Sequence, residues 1–151
     1  DKQVQLFVKL PPWPRDPDSR RDILKLAETA VDAGADGLVI ANTHPIESRR
    51  LKVGRGGLSG APLFEHTELM IADVQALVQG NAAIIACGGV STAEQVWKLM
   101  ASGASAVQLY TSFIYEGPGL PSRLNRRLAK LMSVAGIETV ADITGPPPTV
   151  K

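Results

Sequence analysis

The sequence is poor in several things on which whole classes of protein depend. Cys87 is the single cysteine among 151 residues, so no internal disulfide can form, a secreted disulfide scaffold is excluded, and a reducing compartment is expected. Charge of one sign is scarce as well: 16 Lys+Arg against 15 Asp+Glu leave a net charge of +1. That balance lacks the basic field of a dedicated nucleic-acid binder, and no nucleic-acid partner is expected. Long apolar runs are missing, each being broken by Gly, Asp or Asn well short of the roughly 20 residues that a spanning helix needs. The chain opens at Asp1 without a methionine or a charged-then-apolar leader, so no signal or transit peptide is expected within it, and further residues upstream of Asp1 are. No Walker motif, zinc spacing or Ser/His/Asp set can be assembled. His44 and His66 lack partners at ligand spacing and read as exposed or core-edge residues.

What remains is an ordinary globular composition, 44% hydrophobic and 21% charged, enough for one core and one domain over residues 1–151. Its elements alternate. Val4 to Leu10 is a short apolar run closed by Pro11-Pro12, read as a first strand. Asp18-Ser19 then cap a helix with Ile23, Leu24, Ala27, Ala30 and Val31 on one stripe and Gly34 as its stop. A second strand, Asp36 to Asn42, leads into a polar, glycine-rich connection from Thr43 to Pro62. A helix over Phe64 to Val78, a third strand over Ala82 to Cys87, and a helix opened by the capping-box spacing Ser91-Thr92-Ala93-Glu94 follow. A fourth strand, Ser105 to Tyr110, and a helix over Leu120 to Val134 complete the series. Strict alternation with near-continuous apolar strands predicts a parallel α/β sheet covered by helices.

A doubly wound sheet and a (β/α)8 TIM barrel both meet that description. Four βα units make half a barrel, since the full fold takes roughly 250 residues. Lys9, Asn42-Thr43, Gly88-Gly89 and Tyr110-Thr111 all fall at C-terminal strand ends, where barrel active sites are built, whereas an open sheet concentrates its ligand at one switch point. The barrel half is therefore the expected architecture.

Chemistry at those ends points to an anion. Gly88-Gly89 lets a backbone approach closely, and with Tyr110-Thr111 on the next unit it forms the terminal phosphate cradle of a barrel; by itself Gly-Gly reads as a tight turn. Lys9 interrupts an apolar strand, where an ammonium either meets an anionic ligand or snorkels to the mouth. Asn42 and Thr43 offer an amide and a hydroxyl to a small planar ring, or simply end the strand. The loop Gly54 to Pro62 is too glycine-rich for a packed element, and the cluster Arg49, Arg50, Lys52 and Arg55 reads as a solvated face. Cys87, Trp13 and Trp97 read as packing residues.

The segments Phe7-Val8-Lys9-Leu10, Ile40-Ala41-Asn42-Thr43, Gly56-Gly57-Leu58-Ser59-Gly60-Ala61-Pro62-Leu63, Cys87-Gly88-Gly89-Val90 and Val107 through Pro118, in this order and spacing, resemble the C-terminal half of the dihydroorotate dehydrogenases of the quinone-linked, membrane-associated class. The resemblance implies an FMN-containing barrel enzyme that oxidises dihydroorotate to orotate in pyrimidine biosynthesis and passes electrons to a quinone, at the bacterial or mitochondrial inner membrane. It implies cofactor-binding roles for Lys9, Gly60, Gly89, Tyr110 and Thr111, and substrate-binding roles for Asn42 and Thr43. Metal is not expected, and the catalytic base is expected upstream of Asp1, so the chain alone is expected to be inactive.

Departures from the family pattern are equally specific. Ala41 stands where a flavin-contacting threonine is usual, Leu10-Pro11-Pro12-Trp13-Pro14 replaces a commoner Ala-Pro-Asp, and His44-Pro45 replaces a commoner Thr-Thr. Two other readings are a non-catalytic half-barrel binding a phosphorylated ligand or a partner chain, and another FMN or phosphate-binding barrel enzyme. Asn42-Thr43 and Gly-Gly-Leu-Ser-Gly weigh against the latter, since a bare phosphate cradle needs neither. In every reading the open sheet edges call for the missing half-barrel or a homo-oligomer to cover them.

Overall fold

A computed structural model of the chain describes residues 4–149; the opening residue Asp1 lies outside them. The elements are β1 (Phe7–Lys9), α1 (Pro17–Asp32), β2 (Gly37–Ile40), β3 (His44–Glu47), β4 (Arg55–Leu58), α2 (Phe64–Val78), β5 (Ala83–Cys87), α3 (Ala93–Ala101), β6 (Ala106–Gln108), α4 (Thr111–Glu116) and α5 (Leu120–Ala135). Four strands form one parallel sheet in the order β1-β2-β5-β6. The order rises with the chain and never reverses. A doubly wound sheet reverses at its switch point, so this is the wall of a barrel rather than an open sheet.

Strand alternation divides the sheet into two unlike faces. Leu38, Ile40 and Ile84 are fully buried on one face, in a core with Ala27 of α1, Met70, Ile71 and Val74 of α2, Leu99 of α3 and Leu131 of α5. Leu120, Leu124, Leu128 and Leu131 recur at the helical period, and that stripe is the buried side of α5. Trp13 and Trp97 are both buried, the latter donating its indole N–H to the Gly145 carbonyl at 3.1 Å. On the other face, register aligns Lys9, Val39, Ile85 and Ala106 in one row and Cys87 with Gln108 in the next. Here Phe7, Lys9 and Gln108 are exposed and Ile85 and Cys87 only half-buried. Leu6 and Val4 beside the β1 edge are exposed as well.

Local chemistry moved several boundaries. Asp16, not Asp18-Ser19, caps α1: its side chain accepts the Ser19 N–H at 2.8 Å, with Pro17 pre-set for the first turn. That accepted bond lowers the Asp16 pKa. The capping box of α3 is Thr92 with Gln95, one position later than the Ser91–Glu94 spacing suggested. Glu94 instead pairs with Arg127 of α5 at 3.0 Å, and its pKa is lowered first by its own backbone N–H and then by that guanidinium. Strand β1 is shorter than the apolar run from Val4: its ladder begins with Phe7 opposite Gly37, and Leu6 before it still accepts the Asp36 N–H at 2.9 Å.

The larger difference lies between Thr43 and Pro62. The connection contains an antiparallel hairpin, β3 with β4, pairing His44 with Leu58 and Glu47 with Arg55. Its glycines are what let it pack: the Thr43 hydroxyl occupies the space a Gly57 side chain would need, and a Cβ on Gly56 would meet Leu51 Cδ1 at 2.8 Å. Thr111–Glu116 is likewise a short helix rather than part of a loop.

Candidate functional site

All four C-terminal strand ends open into one cleft of about 880 Å³. Lys9 reaches it from the end of β1, and its ammonium lies 3.8 Å from Cys87 Sγ at the end of β5. Register explains the meeting, because both residues belong to the face of the sheet that helices leave open. No carboxylate pairs with Lys9 among the described residues, so its ammonium enters the cleft without a protein anion of its own. Cys87 is therefore a half-buried wall of the cleft, not the core residue its position suggested.

Beyond β2 the backbone continues the ladder, Ala41 N–H donating to the Cys87 carbonyl at 2.9 Å and Asn42 N–H to the Leu10 carbonyl at 3.2 Å. Those bonds fix the point at which Asn42 and Thr43 leave the sheet. Asn42 Oδ1 accepts the Thr43 N–H at 2.9 Å, which holds the amide group at the cleft wall. Ala41 lies on the same wall and supplies no hydroxyl.

The opposite wall consists of Gly60, Gly88-Gly89 and the Tyr110-Thr111-Ser112 corner. Gly60 has φ +84°, and a Cβ there would lie 3.0 Å from Thr111 Cγ2, so the glycine-rich loop closes directly on α4. Gly89 has φ +77°, and a Cβ on it would lie 2.6 Å from Phe64 Cα. Its need for glycine thus comes from the start of α2 pressing on it, as well as from any ligand. The loops after β5 and β6 are joined by the Ser112 hydroxyl, which donates to the Val90 carbonyl at 2.6 Å. Tyr110 is in the corner with its side chain 76% exposed. The cleft carboxylate, Glu116, is engaged by Arg123 at 2.8 Å.

An unpaired ammonium at one end, glycine-backed amides and a threonine hydroxyl at the other, and an amide with a hydroxyl between them suit a long, anionic, ring-bearing ligand. The gap between Gly89 and Thr111 is backbone-lined, and the Thr111 hydroxyl is not otherwise bonded among the described residues, so the chemistry there suits a phosphate. All seven residues singled out from the sequence, Lys9, Asn42, Thr43, Gly60, Gly89, Tyr110 and Thr111, line this one cleft. The basic cluster Arg49, Arg50, Lys52 and Arg55 does not. Sequence reasoning missed the Lys9–Cys87 meeting and the Ser112 tie, both of which depend on strand register. It also missed that His44 and His66 come together, their ring centres 5.2 Å apart.

The sequence profile of the family described as "Dihydroorotate dehydrogenase" matches residues 1–132. A dihydroorotate dehydrogenase (quinone) of Agrobacterium fabrum is 38% identical over 148 residues, which cover 94% of this chain and 39% of that protein. A mitochondrial dihydroorotate dehydrogenase (quinone) of Oryza sativa subsp. japonica is 38% identical over 150 residues, covering 96% of this chain and 31% of that protein. Among solved structures, DHODH of Eimeria tenella in complex with ferulenol aligns with a TM-score of 0.80 at 36% identity, covering 95% of this chain and 38% of that one. The ligand-free type of the same enzyme gives 0.79 at 37% identity, over 95% and 40%. The chain thus spans well under half the length of these relatives, as four units of a partial barrel do.

Proposed function

Since the chain belongs to the dihydroorotate dehydrogenase family, we propose that it forms the cofactor-binding half-barrel of an FMN-dependent dihydroorotate dehydrogenase (quinone). The observation that carries this reading is the convergence of Lys9, Asn42-Thr43, Gly60, Gly89 and Tyr110-Thr111 on one cleft. In the proposal, Gly89, Tyr110 and Thr111 hold the FMN phosphate, and Gly60 lets the glycine-rich loop lie against the cofactor. Lys9 places its ammonium at the far end of the cleft, where developing negative charge is stabilised by a fixed cation in a site of reduced water content. Asn42 and Thr43 orient the dihydroorotate ring through complementary donors and acceptors. When bound, FMN supplies the capacity to take a hydride from the substrate and deliver electrons to a quinone.

No catalytic base is assigned to this chain, and its cleft carboxylate, Glu116, is held by Arg123. The proton-removing group, and the strands that cover the exposed face of β1 and β6, belong to the remainder of the parent barrel or to a second copy. The parent acts at a membrane surface, bacterial or mitochondrial inner; no helix among the described residues of this chain is long and apolar enough to cross a bilayer.

The test is the parent protein purified from its own host. It is expected to carry flavin absorbance and to reduce a short-chain ubiquinone analogue only when dihydroorotate is present. A flavin-free parent, or one whose quinone reduction ignores dihydroorotate, refutes the proposal.

A further inference from the structure

Thr43 immediately precedes β3, and Gly57 lies within β4. Register pairs Pro45 with Gly57 and His44 with Leu58. Continuing that ladder by one residue sets Thr43 opposite Ser59 and diagonal to Gly57, so the period of two places Thr43, Pro45 and Gly57 on one face of the ribbon. Thr43 leans across the diagonal into the space that the glycine leaves. A Cβ on Gly57 would stand 2.9 Å from Thr43 Cβ and closer still to the Thr43 hydroxyl oxygen. Thr43 lines the cleft, whereas Gly57 does not.

Nothing else fixes that hydroxyl. Asn42 Oδ1 binds the Thr43 backbone N–H at 2.9 Å, but no hydrogen bond holds the hydroxyl itself among the described residues, so packing against β4 sets the rotamer. Gly56, one residue earlier, makes room for a different neighbour: a Cβ there would meet Leu51 Cδ1 at 2.8 Å. Neither Gly56 nor Gly57 is among the glycines of positive φ, so an alanine at either position acts through its methyl group alone. Two adjacent glycines thus accept two side chains, and only Gly57 accepts one that belongs to the cleft.

We propose that Gly57 is a positioning residue for dihydroorotate binding, acting through Thr43. The proposal rests on the assignment of Thr43 to the substrate ring. A β-branched side chain has few staggered positions, and leaving one turns the hydroxyl by about 120°. A methyl group at position 57 therefore does not nudge the Thr43 hydroxyl; it exchanges it for another substituent and removes one hydrogen bond from the ring. Lys9 and the Gly89–Thr111 corner lie elsewhere on the cleft wall, so the loss falls on substrate binding and spares flavin retention.

The experiment compares Gly57→Ala with Gly56→Ala in the full-length parent. Gly57→Ala should raise the KM for dihydroorotate by about tenfold, the worth of one hydrogen bond, with kcat within about threefold and flavin content unchanged. Gly56→Ala, an insult of the same kind to the same strand, should leave KM as it is. In a Thr43→Ala background, Gly57→Ala should add less than about twofold. Should Gly57→Ala fail to fold, Thr43→Val keeps the volume beside Gly57 and removes the hydroxyl, and it should raise KM by the same factor. Methyl NMR of the threonine-labelled parent reads the positioning without turnover: the Thr43 resonance should move in Gly57→Ala and hold in Gly56→Ala. Equal KM effects in the two glycine variants, an unchanged KM in Gly57→Ala or Thr43→Val, a full effect in the Thr43→Ala background, or an unmoved Thr43 resonance would each overturn the proposal. An unmodified parent that ignores dihydroorotate refutes the enzyme reading instead, and the methyl resonances then still decide whether Gly57 positions Thr43.

Discussion

Replacing Gly89 by alanine should damage the fold before it damages any ligand contact. Gly89 and Gly117 have nearly the same φ, +77° and +78°, yet a Cβ at Gly89 would stand 2.6 Å from Phe64 Cα whereas one at Gly117 meets nothing within 4 Å. Both alanine variants incur a positive-φ penalty of about 1–3 kcal/mol. Only Gly89→Ala also forces a backbone to shift, which overpacking data place at about 1–3 kcal/mol. The expected losses are therefore roughly 2–6 kcal/mol at Gly89 and about 1–3 kcal/mol at Gly117. Equilibrium urea unfolding followed by the fluorescence of Trp13 and Trp97, both buried, reads the difference directly. With a slope of about 1–3 kcal/mol per molar urea, the two midpoints should separate visibly. Equal losses for the two variants would refute the steric argument and leave Gly89 to be explained by a ligand alone. The comparison also shows why flavin loss in a Gly89→Val variant cannot by itself identify a phosphate contact.

Thr111→Val keeps the volume and removes the hydroxyl, so in the full-length parent it should leave the unfolding midpoint nearly unchanged. It should weaken FMN retention by about 10- to 100-fold, the worth of one hydrogen bond to a charged group; retention equal to the unmodified protein removes Thr111 from the cradle. Lys9→Ala in the parent should preserve flavin content but slow flavin bleaching by dihydroorotate by about 100-fold, and an unchanged stopped-flow trace would make Lys9 a snorkelling strand-end residue. The lowered pKa of Glu94 means that its ion pair with Arg127 contributes at neutral pH and loses that contribution as pH falls from its unfolded value through the lower folded one. Both partners are about two-fifths exposed, so Glu94→Gln should cost only about 0.5 kcal/mol at neutral pH and progressively less as the pH is lowered, checked by unfolding at neutral and at acid pH. The chain by itself should dimerise or aggregate through the exposed Val4, Leu6 and Phe7 beside β1, and sedimentation showing a monodisperse monomer at high concentration would defeat that expectation.

The strand ends were legible because each is a short apolar run followed by residues that cannot prolong a ladder, and barrel topology converts those ends into one cleft. Lys9, Asn42, Gly89 and Thr111 needed only that conversion. The hairpin was not legible because its composition, Gly54 to Gly57 above all, carries almost no strand propensity. Its pairing is permitted by the Thr43 and Leu51 side chains that fill the space its glycines leave. Asp16 went unseen as a cap because Asp18-Ser19, two residues on, offers the same chemistry, and only Pro17 marks which one begins the helix. The His44–His66 pair was beyond any spacing rule, since the hairpin that carries one histidine back to the helix carrying the other was itself unseen.

That hairpin is an excursion between β2 and α2, and both ends of its stem enter the cleft wall, Thr43 before β3 and Ser59 after β4. It is therefore a lever with its handle in solvent. Residues 48–54 at the tip make no ladder bond to the four-stranded sheet, and lengthening them incurs only the slow logarithmic growth of loop closure. Anything that grips the tip, through Arg49, Arg50 and Lys52 or a grafted tag, would act on the walls proposed for substrate and for cofactor at once.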